Sequence, residues 1–327
     1  MAKSVLKAIK HQSRDLVATL LLILFVRIFR CVSLGSLEVM ARPLGSLAFH
    51  LVKRYRHRVT DNLRIAFGRE KSLQEIDRLA REAFFHLACI PLEFLYLLAH
   101  THRWKQFLPH IKIQGRENLD NALLKGNGVI ALGLHLGAFL LLVSRLAVEG
   151  YACNVVINSG HFPRLWKRFE SHHQIFGAKS IYARPTVKAL KKSLNCLYRN
   201  EILYVLADEQ QRRRGISTTF FGREAFTSSG PAILSIKIGA PVVPMFIRRD
   251  KGMEKTLIIC NSIEIERTTD EEKDIELLTS LLTAAIEEIV RKYPGQWSWL
   301  NRRWKLPRLP ETEGALSHFR QPQRRTS

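Results

Sequence analysis

Four short apolar runs, at residues 128–135, 151–158, 202–208 and 240–247, constrain this chain more than any other feature. The stretches between them are long enough for helices and carry turn residues at their borders, so the later two-thirds of the chain reads as strands alternating with helices. That alternation predicts an α/β fold, in which a mixed, mainly parallel sheet is flanked by helices and offers a ligand groove near the carboxyl ends of its strands. The first run, GVIALGLH, sets His135 where a buried strand is expected to pass into a helix. An imidazole there is expected beside backbone amides able to hold developing negative charge, which is a place for a general base. Position alone does not separate such a base from a structural histidine.

Helices are expected to fill the first third. Ser72 and Glu75 have the spacing of a capping box, and Ile76, Leu79, Ala80, Ala83, Phe84 and Leu87 then repeat at helical intervals. At the start of the chain, Lys3, Lys7, Lys10 and Arg14 precede the apolar run 16–26, which Arg27 and Arg30 interrupt. As a helix that run is only about 16 Å long against a hydrocarbon core of about 30 Å. It is therefore expected to lie in, or dip into, the cytoplasmic leaflet of the inner membrane, with its arginines reaching lipid phosphates. No small-residue cleavage site follows the run, so it reads as a retained anchor. A last helix is expected to begin at Thr269, boxed with Glu272, and to stop at Pro294. The resulting division is a membrane-anchor helix over 1–45, an α/β domain with a helical N-terminal part over 46–306, and a loose basic tail over 307–327.

Lysine and arginine number 51 against 29 acids, a formal net charge of +22. Such an excess calls for an anionic partner: an anionic membrane surface, an acidic carrier protein or nucleic acid. Nucleic acid is set aside, because no helix-turn-helix, zinc-finger or RNP pattern accompanies the charge. The five cysteines are scattered without CxxC spacing, so neither a zinc site nor a disulfide framework is expected. His161, His172 and His173 face no acid or cysteine pattern; they read as surface histidines, and no metal is expected. Arg212, Arg213 and Arg214 read either as a solvated charge run or as a contact for phosphate on a lipid or a carrier's prosthetic group.

Four stretches in order carry a resemblance: DNLRIAFG at 61–68, the strand and His135 at 128–135, LADEQQRRRGISTTFFGREAFTSSGPAILSIKIGAPVVP at 206–244, and YPGQWSWLNRRWK at 293–305. Together, over roughly residues 15–306, they resemble the lipid A biosynthesis late acyltransferase family, the lauroyl and myristoyl transferases within the lysophospholipid acyltransferase superfamily, which are related to phosphatidylinositol mannoside acyltransferases. The resemblance implies transfer of a fatty acyl group from acyl-ACP or acyl-CoA to a hydroxyl of a membrane glycolipid such as a lipid A precursor. It implies no metal or redox cofactor, the thioester being a co-substrate. It also implies a base histidine oriented by an acid five residues later.

Here that acid position is Leu140, and Glu149 lies too far along the expected helix to stand in. Where the family commonly ends the next strand in arginine, this chain has Asn158. The family's Asp-Gln pair survives as Asp208 followed by Glu209. Two readings follow. Either Asp208 or Glu209, arriving from a neighbouring strand, supplies the carboxylate for His135, or the site is degenerate and the protein binds lipid or acyl carrier without transfer.

Overall fold

The computed structural model describes residues 2–158, 167, 170–171, 173–211, 215–252, 254–301 and 303–304, with side chains from residue 13 onward apart from 104–106. Arg212, Arg213, Arg214, His161, His172 and the tail 307–327 lie outside the described residues.

Five helices open the chain: α1 (Ala2–Phe29), α2 (Ser36–Leu51), α3 (Lys53–Phe67), α4 (Leu73–Ala99) and α5 (Thr101–Phe107). The expected capping box is present at the head of α4, with Ser72 Oγ accepting from the Glu75 amide and the Glu75 carboxylate accepting from the Ser72 amide. By length and composition α4 is long and apolar enough to cross a membrane, but half of its most apolar window is buried inside the protein. Its side chains Ile76, Leu79, Ala80, Ala83 and Phe84 belong to the core. In α1 the balance is reversed: Leu16, Val17, Leu20, Leu21, Leu24, Phe25 and Ile28 are exposed, while Leu22 and Phe29 are buried. The division expected after residue 45 falls inside α2.

The rest of the chain builds the sheet. In order come β1 (Lys112–Gln114), α6 (Arg116–Leu123), β2 (Val129–Gly133), α7 (Leu142–Val148), β3 (Cys153–Ile157), β4 (Lys179–Tyr182), α8 (Thr186–Tyr198) and β5 (Ile202–Leu206). They are followed by β6 (Gly215–Phe220), β7 (Arg223–Ser228), α9 (Gly230–Ile238), β8 (Val242–Arg249), β9 (Lys255–Ile259) and α10 (Glu271–Lys292). Seven strands pair in the order β1-β9-β8-β2-β5-β3-β4, and β6 and β7 form a separate hairpin. Strands β8, β2, β5, β3 and β4 run parallel, and β9 turns antiparallel on β8. The sheet is thus mixed and mainly parallel with helices on both faces, as the alternation of apolar runs predicts. Along β2 the core alternates: Ile130 and Leu132 face α4, α9 and α10, whereas Val129 and Ala131 face α2, α6 and α7.

Several local expectations need correction. The chain does not enter a helix at His135. After β2 it makes isolated bridges at Leu136 and Gly137, then a 3-10 turn over Phe139–Leu141, and α7 starts only at Leu142. The last helix is capped by Asp270, whose side chain accepts from the Lys273 amide, and not by Thr269; Thr268 instead bonds the Asp274 carboxylate. His173 is buried, with Nδ1 3.1 Å from Ser180 Oγ, so it is no surface histidine. The Phe-Phe-Gly stretch is the tip of the β6–β7 hairpin. Phe221 and Gly222 both take positive φ between the paired Phe220 and Arg223, the requirement of a two-residue hairpin turn. Phe221 is nonetheless anchored: its ring packs on Phe67 and its amide donates to Glu287.

Candidate active site

Pairing of β2 with β5 brings the site together. The register aligns Gly133 with Leu206, so the two strands end side by side and His135 and Asp208 each stand two residues beyond that pair. Their geometry is close. His135 Nδ1 lies 2.8 Å from Asp208 Oδ1, and the His135 amide donates to Asp208 Oδ2 at 2.8 Å. A second donor to Oδ2 is the Trp297 indole at 2.7 Å. Asp208 is 2% exposed, and a buried carboxylate of this kind stays charged only because these donors face it.

The ionisation of the pair follows from that packing. Burial opposes the charge on Asp208, but His135 and the Trp297 indole hold its carboxyl below the usual aspartate value. Burial likewise opposes protonation of His135; the Asp208 charge and hydrogen bond, with Glu209 adding to them, outweigh it and raise the imidazole to about 8. Glu209 sits on the other side of the ring, its Oε1 3.8 Å from His135 Nε2. Asn301 holds Glu209 there through a 2.6 Å hydrogen bond. Of the two acids named from the sequence, Asp208 meets Nδ1 and Glu209 stands beside Nε2.

A cavity of about 680 Å3 opens at this point, with His135 and Glu209 among its polar lining and Phe139, Leu140, Val143 and Val155 among its apolar walls. Leu140 and Asn158, the two departures from the family pattern, are both wall residues. Glu149 is engaged elsewhere, paired with Arg145 and Arg116. The backbone amides expected to surround the histidine are spent. Those of His135, Leu136, Gly137 and Ala138 donate to Asp208 Oδ2, Leu134 O, Gln296 O and Ile247 O respectively. No helix N-terminus begins at the histidine to replace them.

Sequence reasoning missed the residues that hold this arrangement. The C-terminal motif YPGQWSWLNRRWK lies over the site: the carbonyl of His135 accepts from the Ser298 amide, Leu136 bridges to Trp297, and Trp297 and Trp299 meet edge to face at 4.5 Å. Asn62, in the DNLRIAFG stretch of α3, donates at 2.7 Å to the carbonyls of both Trp299 and Asn301. Buried Arg303 donates to Phe226 O and Thr227 Oγ1. The motifs were visible as words in the sequence; that one clamps the other was not. Among the described residues, no group of three or more His, Cys, Asp or Glu side chains is placed to hold a metal ion.

With this geometry in hand, the relatives are informative. A family model described as bacterial lipid A biosynthesis acyltransferase matches residues 6–306. A lipid A biosynthesis lauroyltransferase of Escherichia coli (strain K12) is 22% identical over 286 residues, covering 84% of this chain and 86% of that protein. A lipid A biosynthesis palmitoleoyltransferase of the same organism is 22% identical over 278 residues, 82% of this chain and 85% of the relative. A phosphatidylinositol mannoside acyltransferase of Mycobacterium tuberculosis (strain ATCC 25618 / H37Rv) is 24% identical over 211 residues, 62% of each chain. Among solved structures, the 1-acyl-sn-glycerophosphate (LPA) acyltransferase PlsC from Thermotoga maritima covers 77% of this chain and 97% of its own at 13% identity. Its TM-score of 0.36 is too low to carry an argument.

Proposed function

Because the chain belongs to the bacterial lipid A biosynthesis acyltransferase family, we propose that it transfers a fatty acyl group from an acyl-ACP or acyl-CoA thioester to a hydroxyl of a membrane glycolipid such as a lipid A precursor. One observation carries the proposal: His135 is paired through Nδ1 to a buried Asp208 at the mouth of an apolar cavity. The family's missing acid is thereby replaced from the adjacent strand.

In the proposed reaction the acceptor oxygen attacks the thioester carbonyl carbon while its proton passes to His135 Nε2. Asp208 fixes the tautomer that leaves Nε2 free to accept and balances the imidazolium that forms. The tetrahedral intermediate then collapses, the C–S bond breaks, and the departing thiolate takes the proton back from Nε2. Phe139, Leu140, Val143 and Val155 offer the acyl chain an apolar bed, and Glu209 beside Nε2 offers the acceptor hydroxyl a hydrogen-bond partner. Arg212, Arg213 and Arg214, beginning three residues after Glu209 in the sequence, are assigned to phosphate on the lipid or the carrier. The exposed apolar side chains of α1 and the +22 charge support a position on the cytoplasmic face of the inner membrane, with residues 1–45 contributing the anchor and 307–327 a basic tail.

The test is a panel. Membranes carrying the protein are incubated with acyl-ACP and acyl-CoA donors of several chain lengths and with lipid A precursors, and the lipids are weighed by mass spectrometry. Addition of one acyl mass is expected with at least one donor, and His135→Ala should reduce it by about six powers of ten, as loss of the base does in hydrolytic triads. A wild-type chain silent across the panel would leave a lipid- or carrier-binding protein as the better reading.

A further inference from the structure

An acyl transfer at this site has an unmet requirement. The carbonyl oxygen becomes negative in the tetrahedral intermediate, and a water-excluded site must present hydrogen-bond donors to it. The amides of residues 135–138 are all engaged, so these four cannot serve.

Tyr204 offers a donor in their stead. It lies in β5, paired with Ala131 of β2 on one side and Val155 of β3 on the other. Its side chain lines the same cavity as His135 and is 3% exposed. The phenol oxygen has no hydrogen-bond partner among the described residues. Leaving a buried hydroxyl unpaired costs about 1–3 kcal/mol, so a sequence free to place phenylalanine there keeps the oxygen at a cost. The ring is given its place by a neighbour without a side chain. A Cβ on Gly133 would stand 2.3 Å from Cε2 and 2.5 Å from both Cζ and the oxygen of Tyr204, so the phenol lies across the carboxyl end of β2, two residues before His135.

We propose that the Tyr204 hydroxyl donates a hydrogen bond to the carbonyl oxygen of the acyl thioester and stabilises the oxyanion formed there; this rests on the acyl-transfer reading above. Burial, with the Asp208 charge adding to it, pushes the phenol's pKa well above its usual value. The group is therefore protonated throughout the working range and serves as a donor. His135 Nε2 takes the acceptor's proton, and the phenol keeps its own.

Tyr204→Phe removes one oxygen and leaves the ring. The expected result is a fall in kcat of about 10²–10³ with KM unchanged, because the bond strengthens only as the oxyanion forms. The inflection of the pH profile near 8 should remain, and the thermal midpoint should not fall, since no partner is lost. Gly133→Ala, which must displace the phenol, should cost activity in the wild-type background and little more in Tyr204→Phe. Wild-type kcat in Tyr204→Phe would overturn the assignment while leaving acyl transfer standing, and so would a loss that comes with a lowered thermal midpoint. A wild-type protein inactive across the donor panel would overturn both.

Discussion

Two buried carboxylates, Glu93 and Asp208, are held in opposite ways. Glu93, on α4, receives Arg249 at 2.7 Å and Lys255 at 3.2 Å, and all three side chains are buried. Burial works against its charge, yet the two fixed cations hold it at about 2. Asp208 receives an imidazole and an indole. One cluster ties a helix of the first third to β8 and β9 through an arginine and a lysine. The other pairs its carboxylate with an imidazole that can gain and lose a proton beside a cavity. The difference teaches how to tell an ion pair that holds the fold from one poised for chemistry: both are buried, but only the second pairs with a side chain that ionises near pH 7.

The contrast breaks if the two acids behave alike. Asp208→Asn should lower kcat by about four powers of ten, as loss of the orienting acid does in hydrolytic triads, while stability measured by denaturant changes much less. Glu93→Gln should do the reverse. It strands two buried cations at about 3–5 kcal/mol, seen in chemical unfolding, with kcat of the folded protein kept to within several-fold. Equal effects on stability and rate at both positions would remove the distinction.

The pH dependence sharpens it further. His135 must be neutral to act as base, so kcat/KM should rise with pH up to about 8 and level above it; below that point it should fall about tenfold per unit. In Asp208→Asn the larger raising influences are gone and Glu209 alone opposes burial, so the inflection should move below 8. A profile flat between pH 6 and 9 would show that no group with this ionisation limits the reaction. The smallest effect is expected at Leu140. Leu140→Glu rebuilds the family's spacing but adds a carboxylate to a cavity that Glu209 already lines, so activity should drop by about tenfold through desolvation and like-charge repulsion. A gain would mean that Asp208 does not serve as the orienting acid.

What was legible in the sequence divides by how local its cause is. Strands β2, β3, β5 and β8 are interior and mainly apolar, so each announced itself as a run. Strand β4 is short and lies at the sheet edge, and the β6–β7 hairpin alternates polar residues outward, so neither has a comparable signature. Asp208 as a partner for His135 was readable because both follow apolar strands, and the parallel register then set them level. Trp297, Asn62 and Tyr204 were not. Each owes its place to a residue distant in the chain: Asn62 to Trp299, Trp297 to Asp208, Tyr204 to Gly133. The triad at Glu93 is hidden for the same reason, its members lying on a helix and on the two strands that pair antiparallel.

The clamp of Asn62 on the segment after Trp297 also orders events in time. At roughly 5–20 residues per second, the ribosome needs tens of seconds to pass from Asn62 to Trp299. Throughout that interval His135 and Asp208 are synthesised, and the strands bearing them are free to pair, while the indole that donates to Asp208 does not yet exist. A nascent chain therefore holds a nearly complete sheet and an incomplete site. An arrest that stops short of Trp297 removes two core tryptophans together with the donor to Asp208, so the proposed reaction should switch on only when synthesis is almost finished.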